Sequence, residues 1–230
     1  MTKRGIVTLA VLGVVVVAVV LALTLPPLFR GAPEPEPAPV FVIAIDAGHG
    51  GRDPGANPDG VLEKDINLEI VGKLQALVDA EEDFVAVLTR TLDIYVSLED
   101  RIRIAEEAGA DIYVSVHVNS YTGPEPNGVE TIVSDAHPLD GDSWVLAELI
   151  QDSVIQATGA RDRGVRSQES YLQRTEMPAV SVETGYVTNP EERAKLIDPE
   201  YQQRIAKGIL AGIRQYIAYR YPESVPAAQP

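Results

Sequence analysis

Between Val40 and Arg220 short apolar, β-branched runs alternate with longer stretches of helical period, and that alternation restricts the chain to an α/β sheet. Residues 40–46, 84–89, 112–118, 129–134 and 179–182 read as strands. Ile66, Ile70, Leu74, Leu77 and Val78 follow the spacing of one helical face, with Asp65 expected to cap it. Ser97 followed by Leu-Glu-Asp opens a helix carrying Leu98, Ile102 and Ala105, and Gly109 stops it. Ser143 starts another helix, which Gly159 ends. Asn189-Pro190-Glu191-Glu192 supplies a cap, a first-turn proline and first-turn acids. A long amphipathic helix from Pro199 to Arg220 closes the domain. Such a sheet is largely parallel, carries helices on both faces, and binds ligands outside the carboxyl ends of its strands.

Three of the expected strands end in reactive side chains. The first leads into Asp46-Ala47-Gly48-His49-Gly50-Gly51, where glycines let the backbone turn sharply around His49. The second leads to His117 and the third to Glu183. The chain has 3 histidines in all, and two of them fall at strand ends. Catalytic zinc takes imidazole and carboxylate ligands, three from the protein, and keeps one position open. Glu63, just ahead of the first helix, could supply the acid. From spacing alone, a metal site and a set of structural hydrogen-bonding groups both remain open.

Composition removes several alternatives. With 0 cysteines there is neither a thiolate metal site nor a cysteine nucleophile. The formal net charge is -15. Residues 1–36 carry about +1, so the rest is more acidic still, which argues against nucleic-acid binding. From Ile6 to Leu25 the sequence is almost wholly apolar, long enough to cross a bilayer core of about 30 Å, with Lys3 and Arg4 before it. Residues 1–30 therefore read as a cytoplasmic N-terminus and single transmembrane anchor. Secretion after cleavage of a signal peptide is the alternative. Residues 31–39 form a proline-alternating spacer, residues 40–222 the catalytic domain and residues 223–230 a disordered tail. This places the domain outside the cytoplasmic membrane, in periplasm or cell wall.

The stretch from Ile43 through His49 to Ala56 resembles the opening motif of the zinc-dependent N-acetylmuramoyl-L-alanine amidases of the Amidase_3 family. The similarity continues in order through Glu63-Lys-Asp-Ile-Asn-Leu, Leu88–Asp93, Leu98–Arg101, Ala110–Ser120, Asn127–Glu130 and Met177–Glu192. It implies one twisted, mostly parallel sheet of about six strands. It also implies His49, Glu63 and His117 as zinc ligands and Glu183 as the catalytic carboxylate. The implied reaction is hydrolysis of the peptidoglycan amide joining N-acetylmuramic acid to L-alanine of the stem peptide, with a zinc-activated water. A carboxypeptidase-type zinc amide hydrolase and an inactive wall-binding module are the alternatives.

Other residues carry weaker expectations. Asp46 is expected either to orient His49 or to cap a turn. Arg90, Asp93 and Arg101 are expected to form ion pairs that fix loops. Arg161, Arg163, Arg166 and Arg174 cluster before the last strand, where they either attract stem-peptide carboxylates or form a solvated loop. Asn127 and Arg174 are the candidate substrate contacts, Glu130 either lines the site or only opens a strand, and His137 receives no role. About two dozen residues separate Asn119 from the helix at Ser143, too few for an inserted blocking helix, so no activator protein is expected to be required.

Overall fold

The computed structural model describes residues 39–224. The expected anchor, most of the spacer and most of the tail lie outside the described residues. Among the described residues no helix is long and apolar enough to cross a membrane.

Six strands form one sheet: β1 (Phe41–Ala47), β2 (Phe84–Leu88), β3 (Ile112–Asn119), β4 (Val129–Ser134), β5 (Asp162–Gln168) and β6 (Ala179–Tyr186). Their order is β2-β1-β3-β6-β4-β5. β2, β1, β3 and β6 run parallel, whereas β4 pairs antiparallel with β6 and parallel with β5. The sheet is thus mostly parallel, with its last two strands reversed. The helices are α1 (Glu63–Val78), α2 (Leu98–Glu107), α3 (Asp142–Thr158), α4 (Pro190–Leu196) and α5 (Pro199–Arg220).

Strand alternation sorts side chains onto two unequal faces. On one, Ile43, Ile45, Val114, Val116, Val180 and Val182 pack under α1, α3 and α5 in the main core. Gly208 and Gly212 of α5 allow that layer to close: a Cβ at Gly212 would stand 2.4 Å from Ile150 Cα of α3. On the other face, Ala44, Tyr113 and Ala179 form a smaller cluster with Ile102 and Ala105 of α2 and Leu172 of a short 3-10 turn, with Ala110, Tyr171 and Met177 against it. Helices do cover both faces, but one cover is thin.

Local signals hold at most helix ends. Ser97 accepts a hydrogen bond from Asp100 N, Asn189 accepts from Glu191 N and Glu192 N, and Gly159 takes the left-handed conformation at φ 66°. Two expectations need correction. α1 begins at Glu63, so Asp65 sits within the first turn and does not cap it. The region around Arg163 and Arg166 is not a loop but the edge strand β5.

Candidate active site

The site is built where β1, β3 and β6 run out beneath the thinly covered face. β1 delivers the chain into Gly48-His49-Gly50, and Gly48 N donates to Val116 O of β3 at 3.0 Å. His49 adopts φ 62°, a left-handed conformation that costs a non-glycine residue about 1–2 kcal/mol. Surrounding bonds hold it there. Arg101 Nη2 donates to His49 O at 2.6 Å and Arg101 Nη1 to Ala47 O at 2.7 Å. Arg90 donates from Nε to Ala47 O at 2.8 Å and from Nη2 to Gly48 O at 3.0 Å. Gly50 and Asp53 exchange both backbone hydrogen bonds, closing a tight turn.

That turn brings Asp53 back onto the ring it follows. Asp53 Oδ2 lies 2.9 Å from His49 Nδ1, which leaves His49 Nε2 facing Glu63 Oε1 at 3.1 Å. His117 Nδ1 lies 3.1 Å from the same oxygen. One ligand atom from each of His49, Glu63 and His117 fits within a mutual distance of 4.8 Å. Glu63 occupies the first position of α1, where the helix dipole favours a carboxylate, and its other oxygen accepts from Ala56 N at 2.9 Å.

The electrostatics are those of a cation site. Burial would raise Glu63, but hydrogen bonds and charges from His117 and His49 outweigh it and hold the carboxyl far below the usual range. Burial would lower His49, yet Glu63 and Asp53 lift it to about 9. His117 is raised by the same balance, with Glu183 contributing. Glu63, held ionised, and two imidazoles turned toward its oxygen are donors of the kind a divalent ion takes. The donor set, two nitrogens and one oxygen, is of the kind zinc takes.

Glu183 is the register partner of His117 on β6, and Glu130 is the antiparallel partner of Glu183 on β4. The three side chains therefore share one face in a row. Burial pushes the Glu183 carboxyl up to about 7; His117 opposes that shift, and Glu63 and Glu130 reinforce it. Glu130 is held by Asn119 Nδ2 at 2.7 Å, Tyr186 OH at 3.2 Å and Arg163 Nε at 2.8 Å.

The remaining expected residues are dispersed. Asp46 does not reach the His49 ring. It is fully buried, pairs with Arg101, and accepts from Ser115 Oγ at 2.6 Å and Tyr171 OH at 3.1 Å. Asp93 pairs with Lys64, whereas Arg90 serves backbone carbonyls and has no ion pair among the described residues. Asn127 closes a local turn onto Glu125 O, and Arg174 pairs with Glu99. Neither lines the cleft beside Glu183. The sequence reasoning missed Asp53 as the partner of His49, although an acid four residues after the histidine was the available signal.

The Amidase_3 family model, described as N-acetylmuramoyl-L-alanine amidase, matches residues 43–215 and so takes in His49, Glu63, His117 and Glu183. The chain is 38% identical over 197 residues to the uncharacterised protein YqiI of Bacillus subtilis (strain 168), a match covering 85% of this chain and 93% of YqiI. It is 37% identical over 175 residues to N-acetylmuramoyl-L-alanine amidase LytC of the same strain, covering 76% of this chain but 35% of LytC. The chain thus spans about a third of that relative's length. An N-acetylmuramoyl-L-alanine amidase structure from Clostridium difficile 630 superimposes with a TM-score of 0.74 at 35% identity, covering 77% of this chain and 97% of that one. The chain belongs to the Amidase_3 family of N-acetylmuramoyl-L-alanine amidases.

Proposed function

We propose that this chain is a zinc-dependent N-acetylmuramoyl-L-alanine amidase, cleaving the peptidoglycan amide between N-acetylmuramic acid and L-alanine. The observation that carries the reading is the convergence of His49, Glu63 and His117 within 4.8 Å, with Glu183 the strand partner of His117.

His49, Glu63 and His117 would hold the ion. When bound, zinc supplies a Lewis acid that polarises the scissile carbonyl and eases deprotonation of water. Glu183, pushed up to about 7, is poised to accept a proton from the attacking water and return it to the departing amine. Asp53 fixes the His49 ring with Nε2 toward Glu63. Arg90 and Arg101 hold the His49 loop through its carbonyls, so the ligand does not drift during turnover.

Two further readings belong to the proposal. Residues 1–30 anchor the chain in the cytoplasmic membrane with the catalytic domain outside it, on the strength of the apolar run after Lys3 and Arg4. The reading that no activator is required rests on the short stretch of sequence between Asn119 and Ser143.

The test is zinc content together with mass-spectrometric products from purified peptidoglycan, using the full chain without added protein. The expected product is a muramic acid bearing a free lactyl carboxylate. Release of a terminal amino acid instead would make it a carboxypeptidase. Bound zinc with no product would leave a wall-binding module.

A further inference from the structure

A cleft of about 590 Å³ opens beside Glu183 over the reversed strands β4 and β5. Its lining includes Glu183, Glu130, Arg163, Arg166, Gln168 and Tyr121. Arg166 Nε lies 3.0 Å from Glu130 Oε2, the oxygen that also accepts from Arg163 Nε. Arg166 stays 54% exposed, and among the described residues its two terminal nitrogens have no partner. One buried carboxylate thus seats two guanidinium groups, and the terminal nitrogens of Arg166 stay open to a cleft that Glu125 and Glu183 also line.

The cleft on the other side of the metal residues is different. It is lined by His49, Tyr95, Leu98, Arg101 and Tyr171. Its one arginine is spent, because Arg101 bonds to Asp46, Ala47 O, His49 O and Val96 O. Of the arginines lining the two clefts, Arg166 is the most exposed, and its terminal nitrogens remain open among the described residues.

Resting on the amidase reading, we infer that Arg166, seated by Glu130 and supported by Arg163, binds a free carboxylate of the stem peptide and so orients the peptide across β6 and β4. Strands stand about 4.8 Å apart, so the guanidinium, drawn back over β4, lies about 10 Å from the His117 column. An extended peptide advances about 3.3–3.6 Å per residue. The recognised carboxylate therefore belongs to the second or third residue after the scissile bond. A guanidinium anchored through Nε presents its two terminal N–H groups as a fork, which suits a carboxylate better than a neutral amide.

The experiment uses muramoyl-peptides that differ only in a free carboxylate or a primary amide, at the second residue in one pair and the third in another. The full chain, Arg166→Gln and Arg166→Lys are compared for kcat and KM. The parent should favour the carboxylate about tenfold at one position, mainly through KM. Arg166→Gln should bring that ratio close to one, and Arg166→Lys should restore part of it. A purely structural role would slow carboxylate and amide substrates alike and leave the ratio intact, which overturns the inference. So would a parent enzyme indifferent at both positions. If the parent cleaves neither pair, the amidase reading fails on its own. Calorimetry with the free stem peptide in both forms then decides the subsite: a carboxylate preference lost in Arg166→Gln supports it, and no preference overturns it.

Discussion

His117 and Glu183 are register partners on the adjacent parallel strands β3 and β6, so the imidazole and the carboxylate stand side by side on the thinly covered face. Neighbouring strands fix their separation more firmly than a loop could. The proposed metal ligand and the proposed proton carrier thus share one rigid support.

That arrangement separates binding from proton transfer. Glu183→Gln keeps the shape of the side chain but removes its basic oxygen. Zinc should be retained at one equivalent while turnover falls about 10²–10⁴-fold. Near-normal turnover in the zinc-loaded variant would remove Glu183 from the mechanism.

Loss of any of His49, Glu63 or His117 should behave otherwise. With Ala at one of these positions only two ligands remain, so bound zinc and activity should disappear together. Elemental analysis checks this. Stoichiometric zinc in His117→Ala would exclude that residue from the metal site.

Gly48 offers a subtler test. A Cβ there would stand 2.2 Å from His117 Cε1 and 2.3 Å from Nε2, so the ring must swing away. Gly48→Ala should weaken zinc about 10–100-fold, on the scale typical of groups that orient ligands. The circular dichroism spectrum should stay that of the parent. Unchanged zinc affinity would show that the ring has room to yield.

Asp46 supports the fold from beneath the site. Burial would raise its pKa, but Arg101, Ser115 and Thr89 outweigh that and lower it. A carboxyl depressed in the folded state stabilises it above the unfolded pKa, near 3.9, and that contribution is lost as pH falls toward the folded value. Asp46→Asn strands the buried Arg101 charge and should cost about 3–5 kcal/mol at neutral pH in denaturant titration. The variant should also lose less stability than the parent between pH 5 and about pH 2. Equal acid sensitivity in the two proteins would contradict this account.

The convergence of His49, Glu63 and His117 was legible because each follows a local rule. Glycines frame His49, His117 ends an apolar run, and Glu63 directly precedes a helical face. The extent of β6 was not legible: the strand runs to Tyr186, so Glu183 lies inside it and not at its end. β5 escaped for a different reason. Asp162–Gln168 is an edge strand with one neighbour and polar side chains toward solvent, so it lacks the apolar signal that marks a central strand. The role of Asp46 stayed open between orienting His49 and capping a turn, because proximity in sequence to His49 says nothing about direction. Its side chain points across the sheet to Ser115 and Arg101, while the chain reverses to present Asp53 instead.

The uneven cover of the sheet has a consequence for the kind of molecule the site can engage. A tunnel or a deep pocket admits only a chain terminus or a small detached fragment. Here Glu183, Glu130 and Arg166 line one cleft over β6, β4 and β5, and His117 stands beside Glu183 on the neighbouring strand. A branch can be laid into that cleft broadside while the backbone bearing it continues past on either side. On the amidase reading proposed above, such a surface would suit a cross-linked mesh, with no need of a loose end.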